Sequence, residues 1–502
     1  MRFPRRSGIL LHPTSLPGPH GSGDFGPAAY HFIDWLATGG QKLWQILPLG
    51  GIGPGNSPYM SSSAFAGNVL LVDLGELQQR GWLDASDLEA TPGLDERAIN
   101  FAAMVPYRME RLARAAARFA AGASGADRAE FAAFCEQHAD WLHDYALFMT
   151  LAEHNDWRDW CDWESALAAR EPAALAGAAA AHAERVGFWK FSQWCFFRQW
   201  LRLRQHANER GVQMVGDMPI FIAHQSAEVW ARPELFELDA HGRPSVVAGV
   251  PPDSFSATGQ RWGNPLYRWP AHAAEGYAWW IARVRRTFET VDIVRIDHFR
   301  GFAGYWEIPA TETTAVKGRW LPGPGDALFK AIAKALGPLP IIAEDLGVIT
   351  PDVTALRKKF AFPGMRILQF AFDGGSGNAY LPHNHDVDSV VYTGTHDNDT
   401  TIGWWASLTD SQRARVRDYL GTDGSEIHWD LIRAASASVA DTVVHPMQDV
   451  LGLGGEHRMN LPGKGEGYWE WRFDWSQVRP EHAQRLAHLT RLFRRDGTPL
   501  QG

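Results

Sequence analysis

The sequence predicts an α/β protein built as a closed (β/α)8 TIM barrel with inserted, mainly helical subdomains. Three observations carry that expectation. Eight short apolar segments have the length and composition of strands buried on both faces. Helix-patterned stretches separate them. Several of the eight end in an acidic residue, and a parallel barrel gathers its functional groups at those strand ends.

The first segment, residues 8–13 (GILLHP), leads into a Gly/Pro-rich loop at 15–26. A helical stretch at 28–39 precedes the second strand, residues 43–50 (LWQILPLG), and a Gly/Pro/Ser loop runs to 63. From about 95 to 210 the chain turns Ala-rich and helical. Phe131, Phe134, Cys135, His138, Trp141, Leu142, Tyr145, Phe148 and Met149 recur at helical spacing, as do Phe188, Phe191, Trp194, Cys195, Trp200 and Leu201. No strand candidate interrupts them, so this region reads as an inserted helical subdomain. Its Ala tract, 173–183, reads as helix surface or linker.

Alternation then resumes. Strand candidates are 212–217 (VQMVGD), 291–297 (VDIVRID), 339–345 (LPIIAED), 365–372 (MRILQFAF), 388–397 (DSVVYTGTHD) and 441–446 (DTVVHP). With the first two they make eight, separated by helices such as 278–290 and 326–336. Residues 1–50 therefore open the barrel, 51–210 hold inserted loops and the helical subdomain, and 211–502 complete the barrel. An open doubly wound sheet is the competing arrangement, but no GxGxxG turn follows the first strand.

Composition narrows the function. Apolar residues at 45% and charged residues at 21% are ordinary for a globular protein. A formal net charge of −9 disfavours nucleic acid and acidic substrates, leaving a neutral ligand as the easier fit. The 23 tryptophans suit the C–H faces of sugar rings, although large aromatics also fill cores. Cys135, Cys161 and Cys195 are too few for a disulfide scaffold, and none forms a CxxC pair for zinc. Behind Arg2, Arg5 and Arg6 the apolar run at 8–11 is too short for a signal peptide. No run approaches the ~20 apolar residues of a membrane span. The expectation is a reduced, cytoplasmic protein without a membrane partner.

Acids close four of the strand candidates: Asp217, Asp297, Glu344 with Asp345, and Asp397. Any single one could be a helix cap. Four at equivalent positions would meet in one pocket. Arg295 and Asp297 are two apart and share a strand face, so the arginine should keep Asp297 ionised, as a glycosyl nucleophile must be. A structural ion pair inside the barrel is the plainer alternative. Glu344 ends an apolar strand, so its surroundings should raise its pKa and suit it to general acid catalysis. Opposite shifts on two carboxyls are what glycosidic cleavage uses. Asp397, after Thr395 and His396, would hold sugar hydroxyls.

Taken together, these segments resemble glycoside hydrolase family 77, the 4-α-glucanotransferases of the α-amylase clan. The matching stretches are 7–18 (SGILLHPTSLPG), 55–68 (GNSPYMSSSAFAGN), 216–221 (GDMPIF), 249–267 (GVPPDSFSATGQRWGNPLY), 294–301 (VRIDHFRG), 343–347 (AEDLG), 393–400 (TGTHDNDT) and 451–463 (LGLGGEHRMNLPG). They keep family order across nearly the whole chain. The resemblance implies transfer of a 1,4-α-glucan segment to an acceptor glucan or glucose. It implies a retaining double displacement through a covalent glucosyl-enzyme, without metal or organic cofactor. Partners would be maltooligosaccharides, amylose or glycogen-derived α-1,4-glucans. By the family pattern Asp297 is the nucleophile, Glu344 the acid/base and Asp397 the transition-state stabiliser. Arg295 and His396 would contact sugar at the cleavage subsite, Asp217 fills the clan's first motif, and Tyr59 would stack on or hydrogen-bond a glucose near the nucleophile.

Residues 249–267 have a loop's composition, with three Gly and three Pro. In this family they resemble a flap that keeps water from the glycosyl-enzyme, with Trp262 and Asn264 as acceptor-side contacts. Ser254 departs from a larger, often aromatic, residue there, and Val69 stands where a proline is expected. A hydrolase using the same carboxylates and a non-catalytic glucan-binding protein are the competing functions. A phosphate-ligand barrel enzyme is disfavoured, because no glycine-rich phosphate cradle follows the late strands.

Overall fold

The computed structural model describes residues 3–89, 91–94, 97–253 and 256–498. Twelve strands are β1 Arg6–Leu10, β2 Leu43–Gln45, β3 Gln213–Pro219, β4 Val246–Val250, β5 Gln260–Pro265, β6 Ile293–Asp297, β7 Gly304–Pro309, β8 Arg319–Pro322, β9 Ile341–Ala343, β10 Gly364–Ile367, β11 Ser389–Tyr392 and β12 Thr442–Pro446. Eight of them pair in parallel in the order β10-β11-β12-β1-β2-β3-β6-β9. The ring closes where the Ala343 N–H donates to the Pro363 carbonyl at 2.9 Å, beside β10. Around the ring the strands follow chain order, which is the barrel expected from sequence.

Each expected strand is present because it is apolar on both faces. β1, β2, β9, β11 and β12 are buried throughout. One face meets the outer helices and the other fills the barrel. β1 and β2 approach so closely that a Cβ on Gly8 would lie 2.4 Å from the Leu43 Cβ, so no larger residue fits. The interior is partly polar. Tyr392 Oη donates to Gln45 Oε1 at 2.8 Å, and Arg295 Nε sits 3.4 Å from Met365 Sδ. These groups form a support layer below the strand ends.

Between β2 and β3 lie the helices Phe101–Gly122, Gly125–Gln137, Ala139–His154, Pro172–Ala181 and Ala183–Glu209. The apolar pattern of 131–149 is split at His138, where ψ of 20° ends one helix and starts the next. Pro172–Ala181 buries no residue, so the Ala tract is a helix on the surface. Ala183–Glu209 is the seam of the insertion. Its Trp194 and Trp200 are fully buried, and Trp200 Nε1 reaches the Thr290 carbonyl at 2.8 Å. Each such side chain contributes about 1.5–3 kcal/mol of burial. Leu201, on the same helix, faces outward.

One part of the fold differs from expectation. Residues 249–267 are not simply a loop: they contain the end of β4 and all of β5. β4 and β5 belong to an antiparallel sheet in the order β5-β4-β7-β8. That sheet joins two excursions from the barrel, one after β3 and one after β6. Ser254 lies outside the described residues. Among those described, no helix is long and apolar enough to cross a membrane.

Candidate active site

Strand geometry brings the acids to one end of the barrel by slightly different routes. Asp217 lies within β3 and Asp297 is the last residue of β6. Glu344 follows β9 directly, whereas Asp397 stands in the loop five residues beyond Tyr392, the last of β11.

Arg295 is the hub. Its Nη1 lies 2.7 Å from both Asp217 oxygens and 3.0 Å from Asp297 Oδ1. Burial works against its charge, but Asp217 and Asp297 outweigh burial and hold it well above the ordinary arginine value. Tyr59 Oη donates to Asp217 Oδ2 at 2.7 Å and lies 2.8 Å from His396 Nε2. With the phenol proton committed to Asp217, the second bond calls for an Nε2–H tautomer of His396. Burial lowers the His396 pKa, which keeps that ring neutral. The Tyr59 and His396 rings stack at 5.3 Å, and Trp469 packs against both.

Glu344 is held by two backbone donors: His298 N–H on Oε2 and Leu346 N–H on Oε1, each at 2.7 Å. His298 adopts φ 52°, the left-handed region that costs a non-glycine residue about 1 kcal/mol or more. That turn immediately after Asp297 aims its amide at Glu344, so the two carboxyls are positioned by one peptide. The His298 ring sits edge-on to Trp262 at 4.8 Å. Trp262 Nε1 donates to Gln260 Oε1, and Asn264 Nδ2 is tied to the Ile222 carbonyl at 3.0 Å. Asp397 Oδ1 accepts from Asn460 Nδ2 at 2.7 Å and lies 3.4 Å from His396 Nε2. The Arg458 guanidinium holds the Asp397 carbonyl at 2.9 Å.

The electrostatics correct the expectation of opposite shifts. Burial pushes Asp297 up to about 8, and Arg295 does not overcome it, because that cation is shared with Asp217 while Glu344 and Asp397 add negative charge. Burial also raises Glu344, against the pull of Arg295 and of its two backbone donors. Both carboxyls are thus pushed towards the protonated form, chiefly by burial.

A stability prediction follows. A carboxyl raised in the folded state loses stability as pH climbs from its unfolded value, about 3.9, towards its folded value, because ionisation is easier unfolded. Asp297→Asn fixes the uncharged form. Its Tm advantage over the parent is expected to widen between about pH 4 and about pH 8, measured by calorimetry. A gap that narrows over that window would mean that the ionised form is the stabilised one.

Sequence reasoning passed over several members of this site. His298, Arg458 and Asn460 sit inside the stretches that carry the family resemblance, and Trp469 lies in none of them. Asn460 comes from the 451–463 segment, more than sixty residues after its partner. Among the described residues no group of three or more His, Cys, Asp or Glu is arranged to hold a metal ion.

A closed parallel barrel that gathers carboxyls, a buried arginine and stacked aromatic rings at its strand ends is the architecture of an enzyme acting on glycosidic bonds. The chain belongs to the 4-alpha-glucanotransferase family, whose model matches residues 11–477. It is 50% identical over 494 residues to a 4-alpha-glucanotransferase of Thermus thermophilus, covering 97% of this chain and 98% of that one. A 4-alpha-glucanotransferase of Synechocystis is 48% identical, with 98% of each covered. Among solved structures, the amylomaltase from Streptococcus agalactiae in complex with acarbose superposes with a TM-score of 0.95 at 39% identity, covering 98% of this chain and 99% of that one.

Proposed function

We propose that this 4-α-glucanotransferase works by double displacement, with Asp297 as nucleophile, Glu344 as acid/base and Asp397 as the group that stabilises the distorted sugar. The carrying observation is the peptide that links Asp297 to Glu344: it ends β6 on one carboxyl and clasps the other with the His298 amide. In the first step an Asp297 oxygen bonds to the anomeric carbon. The bond to the leaving glucan's O4 breaks, and Glu344 gives that oxygen its proton. In the second step an acceptor's 4-hydroxyl gives its proton to Glu344 and attacks the anomeric carbon, and the ester to Asp297 breaks. One glycosidic bond is lost and one is made. Arg295, His396 and Tyr59 line the cleaved sugar, with the buried Asp217 holding Arg295 and Tyr59 in place, while Trp262 and Asn264 stand on the acceptor side. The donors are maltooligosaccharides, amylose or glycogen-derived α-1,4-glucans.

Incubation with maltotriose tests the reading. A ladder of longer maltodextrins plus glucose is expected, at constant total reducing ends. Rising reducing ends without a ladder would make water the acceptor and overturn transfer.

A further inference from the structure

The sheet above the barrel ends in an exposed tryptophan. Trp320, on the edge strand β8, is 41% exposed although the Trp306 ring lies 5.2 Å from it. β8 is a short edge strand blunted by Arg319 and Pro322, and it is also fixed at both ends. A Cβ on Gly318 would lie 2.5 Å from the Trp306 ring, so the turn before β8 lies flat on that indole. A Cβ on Gly323 would lie 2.3 Å from the Phe302 carbonyl oxygen, and the Gly323 and Gly325 amides donate to Ala303 and Phe302 at 2.9 and 2.8 Å. The strand is therefore locked to the turn Phe299–Phe302, which follows Asp297.

Arg300 completes the arrangement. Its guanidinium lies 3.9 Å from the Trp320 ring centre and donates to the Val348 carbonyl, in the loop after Glu344. Val348 is itself 58% exposed. One arginine thus ties together the loops that carry both carboxyls and fixes one side of the indole. Asp297 and Arg300 are three residues apart, at most about 11 Å along the backbone. Trp320 stands one arginine side chain beyond, with Trp306 set against it at 5.2 Å and 65°.

We infer that Trp320 is an auxiliary platform for long α-1,4-glucans, continuous with the carboxylate cleft but outside the subsites that hold the reacting sugars. The inference rests on the glucan-transfer reading. An indole offers a flat apolar face that matches the C–H face of glucose, and a ring held by packed neighbours loses little freedom on binding. A neutral polymer long enough to leave the cleft is the occupant that this chemistry and this position fit. A short donor never reaches it.

Kinetics on two donors test the platform, with Trp157→Ala as a matched control because that indole is 60% exposed in the helical insertion. Trp320→Ala is expected to raise KM for amylose about three- to tenfold, the equivalent of one lost aromatic contact. It should leave kcat and KM for maltotriose unchanged, and Trp320→Tyr should restore most of the amylose affinity. Trp157→Ala should change neither donor. Unchanged amylose kinetics in Trp320→Ala would overturn the platform, as would equal losses on both donors. Absence of transfer by the parent protein would instead remove the functional reading beneath it.

Discussion

Asp297→Asn is expected to end glucan transfer while leaving the barrel folded, with a fall in kcat of at least about 10^4-fold. The amide has the same shape as the carboxyl and can still face Arg295, whose stronger attachment is the pair of 2.7 Å contacts to Asp217. It cannot form the ester with the anomeric carbon, so the first step has no nucleophile. Binding should survive, since Tyr59, His396 and Asp217 keep their mutual hydrogen bonds. The check combines transfer assays on maltotriose with calorimetric titration of the same sugar. An active Asn variant would move the nucleophile elsewhere. A variant that neither binds nor transfers would make Asp297 part of the site's framework instead.

Glu344→Gln should cost about 10^2- to 10^4-fold on maltotriose, the range for loss of general acid–base assistance. The defect should depend on the leaving group. The fluoride of α-maltosyl fluoride departs without being protonated, so the first step should run near the parent rate and the maltosyl-enzyme should accumulate. Azide, a nucleophile that needs no base, should then release α-maltosyl azide, its α configuration reporting two inversions. The Gln side chain can still accept one bond from His298 or Leu346 through its oxygen, but its NH2 opposes the other donor, so a modest fall in Tm is also expected. Equal losses on maltotriose and maltosyl fluoride, with no azide product, would deny Glu344 the proton-transfer role.

The barrel was legible because its strands are short apolar runs with one unambiguous fate, burial on both sides. Ile341–Ala343 and Ser389–Tyr392 have no solvent-facing alternative. Helices such as Ala278–Thr290 and Asp326–Leu336 emerged with the expected bounds, because their apolar spacing and flanking breakers agree. The antiparallel sheet was not legible. Gln260–Pro265 contains Gly and Pro and has no alternation. It is a strand because β4 pairs with it, and that is a tertiary cause. The site divides in the same way. The acids announced themselves by position, but the direction of the Asp297 shift depends on burial and three further carboxyls, which a two-residue spacing cannot convey. His298 drew no notice because its contribution lies in a backbone angle.

The four-stranded sheet has a mechanical meaning for how the cleft could be tuned. Two of its strands leave the barrel after β3 and two after β6, yet they hydrogen-bond into one plate. Trp262 rides on one edge of that plate and Trp320 on the other. On the roles proposed for Trp262 and Trp320, tilting the plate would move both indoles together, so the choice of acceptor and the grip on a long chain would be one adjustable quantity. A lineage or an engineer that changes one of them through this plate inherits a change in the other.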